Sequence, residues 1–335
     1  MRVQYHGVQG SLVAVGGMEN PSLGYSANIP FGYTPSEDTV DSWTVASVGI
    51  MHGPPDPAML FPADTEFTSY VVLRNVSSQP LQISPTIWFT AGRQVATPGL
   101  QDRRLPASPL VLKAGETRNF DVEKLLSANG LKNAPGNLTL SLDMKGLPGA
   151  LLASVGSVDQ SGDYVFEVEP NVVSASLSQN LCFFEVSEGN DTMVSLWNHS
   201  GQAEDLLVTL YFKDGHYKLP VHLEAKQSAM FNLLQIIKAR SPDVDGNIIP
   251  TSVRQGSIVV SGPQDETQTI NVSINAATFS VRDATCNTVC HQCTGFDYIT
   301  VNPVSTTLAV GDPAISLSAV GVYSNGLQGF LPEVT

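Results

Sequence analysis

Charge is what this 335-residue chain has least of: Asp, Glu, Lys and Arg make up 14% of it, against about 25% in an ordinary globular protein. Ser, Thr, Asn and Gly take the polar positions instead, as they often do in secreted and surface modules. Basic residues are the scarcer sign, 17 against 31 acidic ones, and the net charge is -14. With no Lys/Arg cluster beyond Arg103-Arg104, such a chain repels phosphate backbones and anionic headgroups, which excludes nucleic-acid and polybasic membrane binding. Long apolar runs are also missing. Nothing approaches the ~20 continuous apolar residues of a bilayer-spanning helix, which excludes membrane insertion. The start, Met1-Arg-Val-Gln-Tyr-His-Gly, has neither the apolar run nor the cleavage site of a signal peptide. Either the chain is cytosolic or its true N-terminus lies upstream, and the C-terminal sequence favours the second.

Catalytic constellations are lacking too. The six histidines (His6, His52, His199, His216, His222, His291) are scattered, no Gly-x-Ser-x-Gly elbow occurs, and no acidic pair stands out from the turn carboxylates. The expectation is a non-enzymatic chain with no cofactor.

What is present is one pattern, stated twice. Residues 65–141 open with Thr65-Glu-Phe-Thr-Ser-Tyr-Val-Val-Leu-Arg-Asn75 and Ile83-Ser-Pro-Thr-Ile-Trp88-Phe. Residues 190–261 open with Asp191-Thr-Met-Val-Ser-Leu-Trp197-Asn198 and Leu206-Leu-Val-Thr-Leu-Tyr-Phe212. Both pass through Leu-Pro (Leu105-Pro106, Leu219-Pro220) into segments where Leu112, Ala114, Phe120 and Leu126 correspond to Leu223, Ala225, Phe231 and Ile237. Both reach a Gly-led strand, at Gly136 and at Gly256. Alternating apolar positions such as Tyr70, Val72 and Arg74 against Val71, Leu73 and Asn75 signal half-buried strands. One departure recurs at the same place: Asp121–Gly130 and Phe231–Arg240 carry helix formers and predict a short helical turn in each copy. The strands Thr269–Ile274 and Ala277–Val281 then complete the second copy, as counterparts of Ala150–Val155 and Asp163–Val168. A duplicated unit of this size implies tandem modules, each burying its own core. The fold class expected is all-β: two tandem Ig-like or fibronectin-like antiparallel β-sandwiches followed by a truncated Ig-like module. The divisions are an irregular lead-in at 1–45, sandwiches at 46–170 and 171–284, a cysteine-rich linker at 285–297 and an incomplete Ig-like domain at 298–335.

Two resemblances support this organisation. The segments Ile299-Thr-Val-Asn-Pro303, Leu308-Ala-Val-Gly-Asp312 and Leu317-Ser-Ala-Val-Gly-Val-Tyr323-Ser-Asn-Gly326 resemble the opening of a bacterial Ig-like domain of the group-two type. The match covers about the first half of such a domain, which implies a chain cut inside a module and weak order beyond about residue 310. Residues 45–295, around Asp191–Asn198 and Gly156–Val168, resemble the paired β-sandwich regions of uncharacterised secreted proteins of soil bacteria. That likeness implies an extracellular or cell-surface location and supplies no activity.

Candidate sites are few. Cys286-Asn-Thr-Val-Cys290-His291-Gln-Cys293 has the Cys-x3-Cys-x2-Cys spacing of a radical-enzyme iron–sulfur cluster, but no alternating strand–helix pattern follows to form the barrel such enzymes need. Thr294 stands where covalent haem attachment requires His. Zinc held by the three cysteines with His291 or Cys182 is chemically allowed. Disulfides among Cys182, Cys286, Cys290 and Cys293 suit an exported protein, and four cysteines permit three pairings that sequence leaves open. Ser241-Pro-Asp243-Val-Asp245-Gly-Asn247 resembles a calcium loop without its distant Glu, and reads more simply as an Asp/Gly/Asn turn. Trp88 and Trp197 are expected in the sandwich cores, and the Asn-x-Ser/Thr sequences at Asn75, Asn137, Asn190, Asn198 and Asn271 are turn and strand composition.

The reading that follows is a structural or adhesion module serving as spacer or scaffold, a monomer within a longer chain, for a surface ligand that is polysaccharide or protein. The alternative is a carbohydrate-binding accessory region of a secreted enzyme, which an exposed row of aromatics on one sheet face would favour. A metal-dependent enzyme built on the cysteine cluster is the third class.

Overall fold

The computed structural model describes residues 41–291 except 56–58, 60, 92–101, 147–149, 161–164, 169, 174–179, 214, 264–269, 281–284 and 289, and beyond 279 it gives the course of the backbone alone. Outside that span it gives only the strands 16–20, 25–29, 296–302, 318–323 and 328–330. The expectation on order beyond residue 310 and most of the lead-in lie outside the described residues.

β1 (Gly16–Asn20) and β2 (Tyr25–Ile29) form a hairpin. The first unit then runs β3 (Asp41–His52), β4 (Phe67–Asn75), β5 (Leu81–Ala91), β6 (Arg103–Pro106), β7 (Leu110–Leu112), β8 (Thr117–Asn119), α1 (Val122–Ala128), β9 (Gly136–Gly146), β10 (Leu151–Asp159), β11 (Val165–Val168) and β12 (Asn171–Val172). The second runs β13 (Asn180–Glu185), β14 (Asn190–Asn198), β15 (Glu204–Phe212), β16 (Gly215–Leu223), β17 (Ser228–Asn232), α2 (Leu233–Ala239), β18 (Gln255–Ser261), β19 (Val272–Ser280), β20 (Thr285–Thr288) and β21 (Cys290–His291). A three-stranded sheet of β22 (Phe296–Asn302), β23 (Ser318–Tyr323) and β24 (Gln328–Phe330) follows.

Each unit has two antiparallel sheets, and the strand orders correspond. In the first they are β12-β3-β9-β5-β6 and β11-β10-β4-β8; in the second, β21-β13-β18-β15-β16 and β20-β19-β14-β17. Among the described residues both units are all-β apart from one two-turn helix each, at the place the sequence pattern expects. Asp121 caps α1 by accepting from Lys124 N, and Asn232 caps α2 by accepting from Gln235 N, which satisfies one orphan donor at each helix start. Apolar side chains close a separate core in each unit, around Ile83, Ile87, Leu138 and Leu140 in the first and Val194, Leu196, Val208 and Ile258 in the second.

The duplication reaches hydrogen-bond detail. Asn75 and Asn198, both fully buried, end equivalent strands and hold equivalent turns. Nδ2 donates to Gln79 O at 2.7 Å and Leu112 O at 3.1 Å in one, and to Gln202 O at 2.7 Å and Leu223 O at 3.2 Å in the other. Oδ1 accepts from Ser77 N and Ser200 N, each at 2.9 Å. These amides face the interior, so their Asn-x-Ser sequences are turn chemistry, as composition suggests. Replacing Asn198 by alanine strands the carbonyls of Gln202 and Leu223 and is expected to cost about 2 kcal/mol. Asn75→Ala should match it, and urea denaturation measures both; a loss under about 0.5 kcal/mol in either would show that the turn closes without its amide.

Three expectations are corrected. Ala277–Val281 is not a strand of its own: β19 continues from Val272 through Ser280 along the whole of β14, and the partner of β11 in the repeat is β20. The stretch 285–297 is not simply a linker, because β20 pairs with β19 and β21 pairs with β13, one on each sheet of the second unit. The boundary at 170 also shifts, since β12 pairs with β3 and belongs to the first unit.

The units pack face to face. From Asp191 to Asn198 every residue of β14 is buried, which one core cannot explain, since a strand offers only alternate residues to one side. Val194 and Leu196 enter the core of their own unit, while Met193 and Trp197 meet the first unit through Met51, Phe67, Ala46 and Val48. β3 alternates the same way, giving Val45 and Ile50 to its own core and Ala46, Val48 and Met51 to the junction. Gly49 makes the approach possible. It sits at a register shift in β3 with φ +89°, and a side chain there would collide with Ser195 of the second unit; both the left-handed backbone and the contact require glycine. Phe61, Phe67, Phe166 and Phe279 complete the junction as a ring cluster, with Phe61 stacked on Phe279 at 4.7 Å. Asn275 Nδ2 donates to Val48 O at 3.0 Å, and Thr139 and Ser228 share a buried hydroxyl bond at 3.1 Å.

Candidate functional site

One end of this junction opens into a cleft of about 360 Å³. The first unit contributes Thr44 from β3, Thr86 and Trp88 from β5, Arg104 from β6, and Ser141 and Asp143 from β9; the second contributes Trp197 from β14, and His199 and Lys226 from the turns beside it. The alternation of β5 and β9 puts their polar residues on the outer sheet face, and that face meets the second unit.

Trp88 and Trp197 are therefore not core residues of their sandwiches, contrary to the sequence expectation. They face each other across the cleft, with ring centroids 6.2 Å apart. Trp88 Nε1 donates to Ser141 Oγ at 3.1 Å, and Trp197 Nε1 donates to Lys226 O at 3.2 Å. The Lys226 ammonium lies over both rings, 5.9 Å from Trp88 and 5.7 Å from Trp197, and the Arg104 guanidinium lies 5.4 Å from Trp88. Thr44 Oγ1 donates to Asp143 Oδ1 at 2.6 Å.

Lys226 holds this position at a backbone cost. Its φ is +63°, and the residue equivalent to it in the first unit, counting from Leu112 and Leu223, is Gly115 with φ +71°. A left-handed turn takes glycine readily and lysine at a cost of about 1–2 kcal/mol. Two cation–π contacts and a hydrogen bond from Nζ to His199 O offset that strain. Burial lowers the Lys226 pKa, Asp143 raises it and Arg104 lowers it, for a net fall. Burial first, and then the Lys226 charge, push His199 down to about 4, so the imidazole is neutral near pH 7. The cleft therefore presents aromatic faces, two cations, one carboxylate and several hydroxyls, a set that suits holding a ligand better than activating a nucleophile. Sequence reasoning missed Arg104, Asp143 and Lys226. The exchange of Gly115 for Lys226 between the copies was the available signal.

The residues singled out from sequence lie elsewhere. Asp243 closes its own turn: Oδ1 accepts from Asp245 N and Asn247 N, and Oδ2 accepts from Lys218 N and Asn247 Nδ2. Asp245 pairs with Lys218 Nζ at 2.7 Å. The oxygens a calcium ion would need are thus engaged, and the stretch behaves as an Asx turn. Cys182 is fully buried in β13. Cys286 lies opposite Phe279 in one sheet, whereas Cys290 lies opposite Cys182, and His291 opposite Leu181, in the other; Cys293 lies outside the described residues. His52 is buried at the far end of the first unit, with Nε2 3.0 Å from Leu131 O and Nδ1 3.4 Å from Glu123. His222 is exposed between Asp205 and Glu224. Among the described residues no three His, Cys, Asp or Glu side chains gather as a metal site. No helix among the described residues is long and apolar enough to cross a membrane. Compared with family models, curated proteins and solved structures, the chain matches none.

Proposed function

We propose that this chain is a non-catalytic structural or adhesion segment of an exported bacterial protein. Two copies of one sandwich, the first running from β3 to β12 and the second from β13 to β21, act as a single stiff block ahead of a further Ig-like module beginning near residue 298. The likeness to immunoglobulin domains lies in the two-layer architecture. The strand order differs from theirs, because the consecutive strands β3 and β4 lie in opposite sheets, where the first two immunoglobulin strands share one.

One observation carries the reading: β14 is buried on both faces. Tandem domains move relative to one another unless their interface is large and apolar, and a junction made of Trp197, Met193, Met51 and four phenylalanines meets that condition. A stiff block transmits load and fixes the spacing between whatever lies before and after it.

The cleft supports the second reading, carbohydrate binding, because a partly buried indole beside Arg104, Asp143 and hydroxyls is an environment suited to a sugar ring. Against a platform on a sheet face, Tyr211 is the one aromatic among the exposed large apolar residues described. The test is fractionation of the producing cells with an antibody to this chain, together with binding of the purified chain to a panel of polysaccharides and host-matrix proteins. Recovery at the cell surface or in the medium supports the first reading. Recovery in the cytosol sinks it, and saturable polysaccharide binding abolished by Trp88→Ala would favour the second.

A further inference from the structure

We propose that Cys182 and Cys290 form a disulfide that locks the last strand of the second unit to its sheet. Of the three pairings open to Cys182, the strand register selects one: Cys182 and Cys290 are direct partners across the antiparallel pair β13–β21. Direct partners in such a pair stand on the same sheet face with Cα atoms about 4.5–5.5 Å apart, inside the ~4.4–6.8 Å range of disulfides. Cys286 lies on β20 in the opposite sheet, paired with Phe279, so the spacing that resembles a metal motif is divided between two layers. Cys182 is fully buried, which shields a bond formed there from reductants.

The bond answers a mechanical weakness. β21 has two residues and, among the described residues, pairs only with β13, so backbone hydrogen bonds hold it poorly. Any pull on the chain beyond residue 291 arrives at this strand and would peel it away. A crosslink at its root passes the load to β13, whose other neighbour is β18. The first unit has no such need, because its equivalent strand β12 runs into Val173, which packs against the Trp197 cluster in the junction.

Formation balances as thiol–disulfide exchange: the two thiols give up two protons and two electrons to an exchangeable disulfide, which leaves as two thiols. Only the supply of that oxidant in the cell rests on the proposed export. The pairing itself is tested in a glutathione redox buffer.

The experiment is digestion of the oxidised full-length chain without reduction, followed by mass spectrometry, on wild type, Cys286→Ser and Cys293→Ser, which together remove the ambiguity of three nearby cysteines in one peptide. A linked pair of peptides carrying Cys182 and Cys290, retained in both Cys286→Ser and Cys293→Ser, is the expected result. Reduction should lower Tm by roughly 10 °C, given the long loop closed, and Cys290→Ser should show the same loss with no further drop on reduction. Linkage of Cys182 to Cys286 or Cys293, a free Cys182 thiol after denaturing alkylation, or stoichiometric zinc on the cysteines would each overturn the proposal. A linked pair in buffer with a reduced protein in cells would leave the pairing standing and count against export.

Discussion

Trp197→Ala is expected to lower stability by about 3–5 kcal/mol and to split one unfolding transition into two. The side chain is 2% exposed yet belongs to neither sandwich core. It fills the junction against Ala46, Val48 and Trp88, and its Nε1 holds the carbonyl of Lys226. Truncation opens a cavity between the units, removes one of the two rings under the Lys226 ammonium, and leaves a left-handed lysine backbone with less to offset it. Each unit keeps its own apolar core, so the change falls on the coupling. Urea denaturation followed by far-UV circular dichroism and by fluorescence of the remaining Trp43 and Trp88 is the measurement: coincident in wild type, the two curves separate in the variant. A loss below about 1 kcal/mol with the curves still coincident would mean that the junction does not bind the units into one block, and the stiff-scaffold proposal would go with it. Trp88→Ala should cost less, because that ring is only partly buried.

Sequence pattern carried the strands, the two helical turns and the duplication, because each is a local signal read over a few residues. The helices expected within Asp121–Gly130 and Phe231–Arg240 occupy Val122–Ala128 and Leu233–Ala239. Register was harder. The match of Gly136 to Gly256 is displaced by two residues: Ile87 and Leu210, at equal distances from Asn75 and Asn198, pair with Leu140 and Ile258, so Leu138 is the equivalent of Gly256. A two-residue shift returns every side chain to the same face, and the apolar pattern cannot register it.

The junction was illegible for a related reason. Met193, Ser195 and Trp197 alternate with Val194 and Leu196, which reads as a strand whichever body covers the second face. Polar residues buried by another unit, such as Ser195 and Asn275, look like solvent positions until that unit is in place. The cleft follows from the junction, so its residues come from seven separate segments with no common motif.

Between about pH 4 and pH 6 the buried acid Asp191 and the half-buried base His199 should pull stability in opposite directions, and single variants should reveal each. Asp191 is fully buried in β14. Burial raises its pKa to about 6, against the lowering effect of the Leu234 and Thr192 amides and the Asn232 side chain. Its Oδ1 accepts from Thr192 N at 2.7 Å and Leu234 N at 3.0 Å. The folded chain therefore keeps a proton that the unfolded chain releases near pH 4, and stability falls as pH rises through 4 to 6, by about 3 kcal/mol in all. His199 is lowered to about 4 by burial and by Lys226, so its contribution is present above about 6.5 and is lost as pH falls towards 4. Partial exposure makes that contribution the smaller one. In Asp191→Asn the stability curve, taken as a difference from wild type, should rise with pH across this window; in His199→Gln it should fall. Urea midpoints at half-unit pH steps give both curves, and it is their slopes, not the absolute stability of either variant, that decide. Parallel curves for Asp191→Asn and wild type would show that the carboxyl is ionised throughout. The first unit solves the same local problem without a buried acid: Ser69 N, the counterpart of Thr192 N, donates to Glu123 from the helix at 3.0 Å, and that half-exposed carboxylate has its pKa lowered: burial acts to raise it and the His52 and Ser69 contacts outweigh burial. The carboxylate that meets the amide comes from the helix in the first copy and from the neighbouring strand residue in the second, and only in the second is the acid itself pushed up by burial.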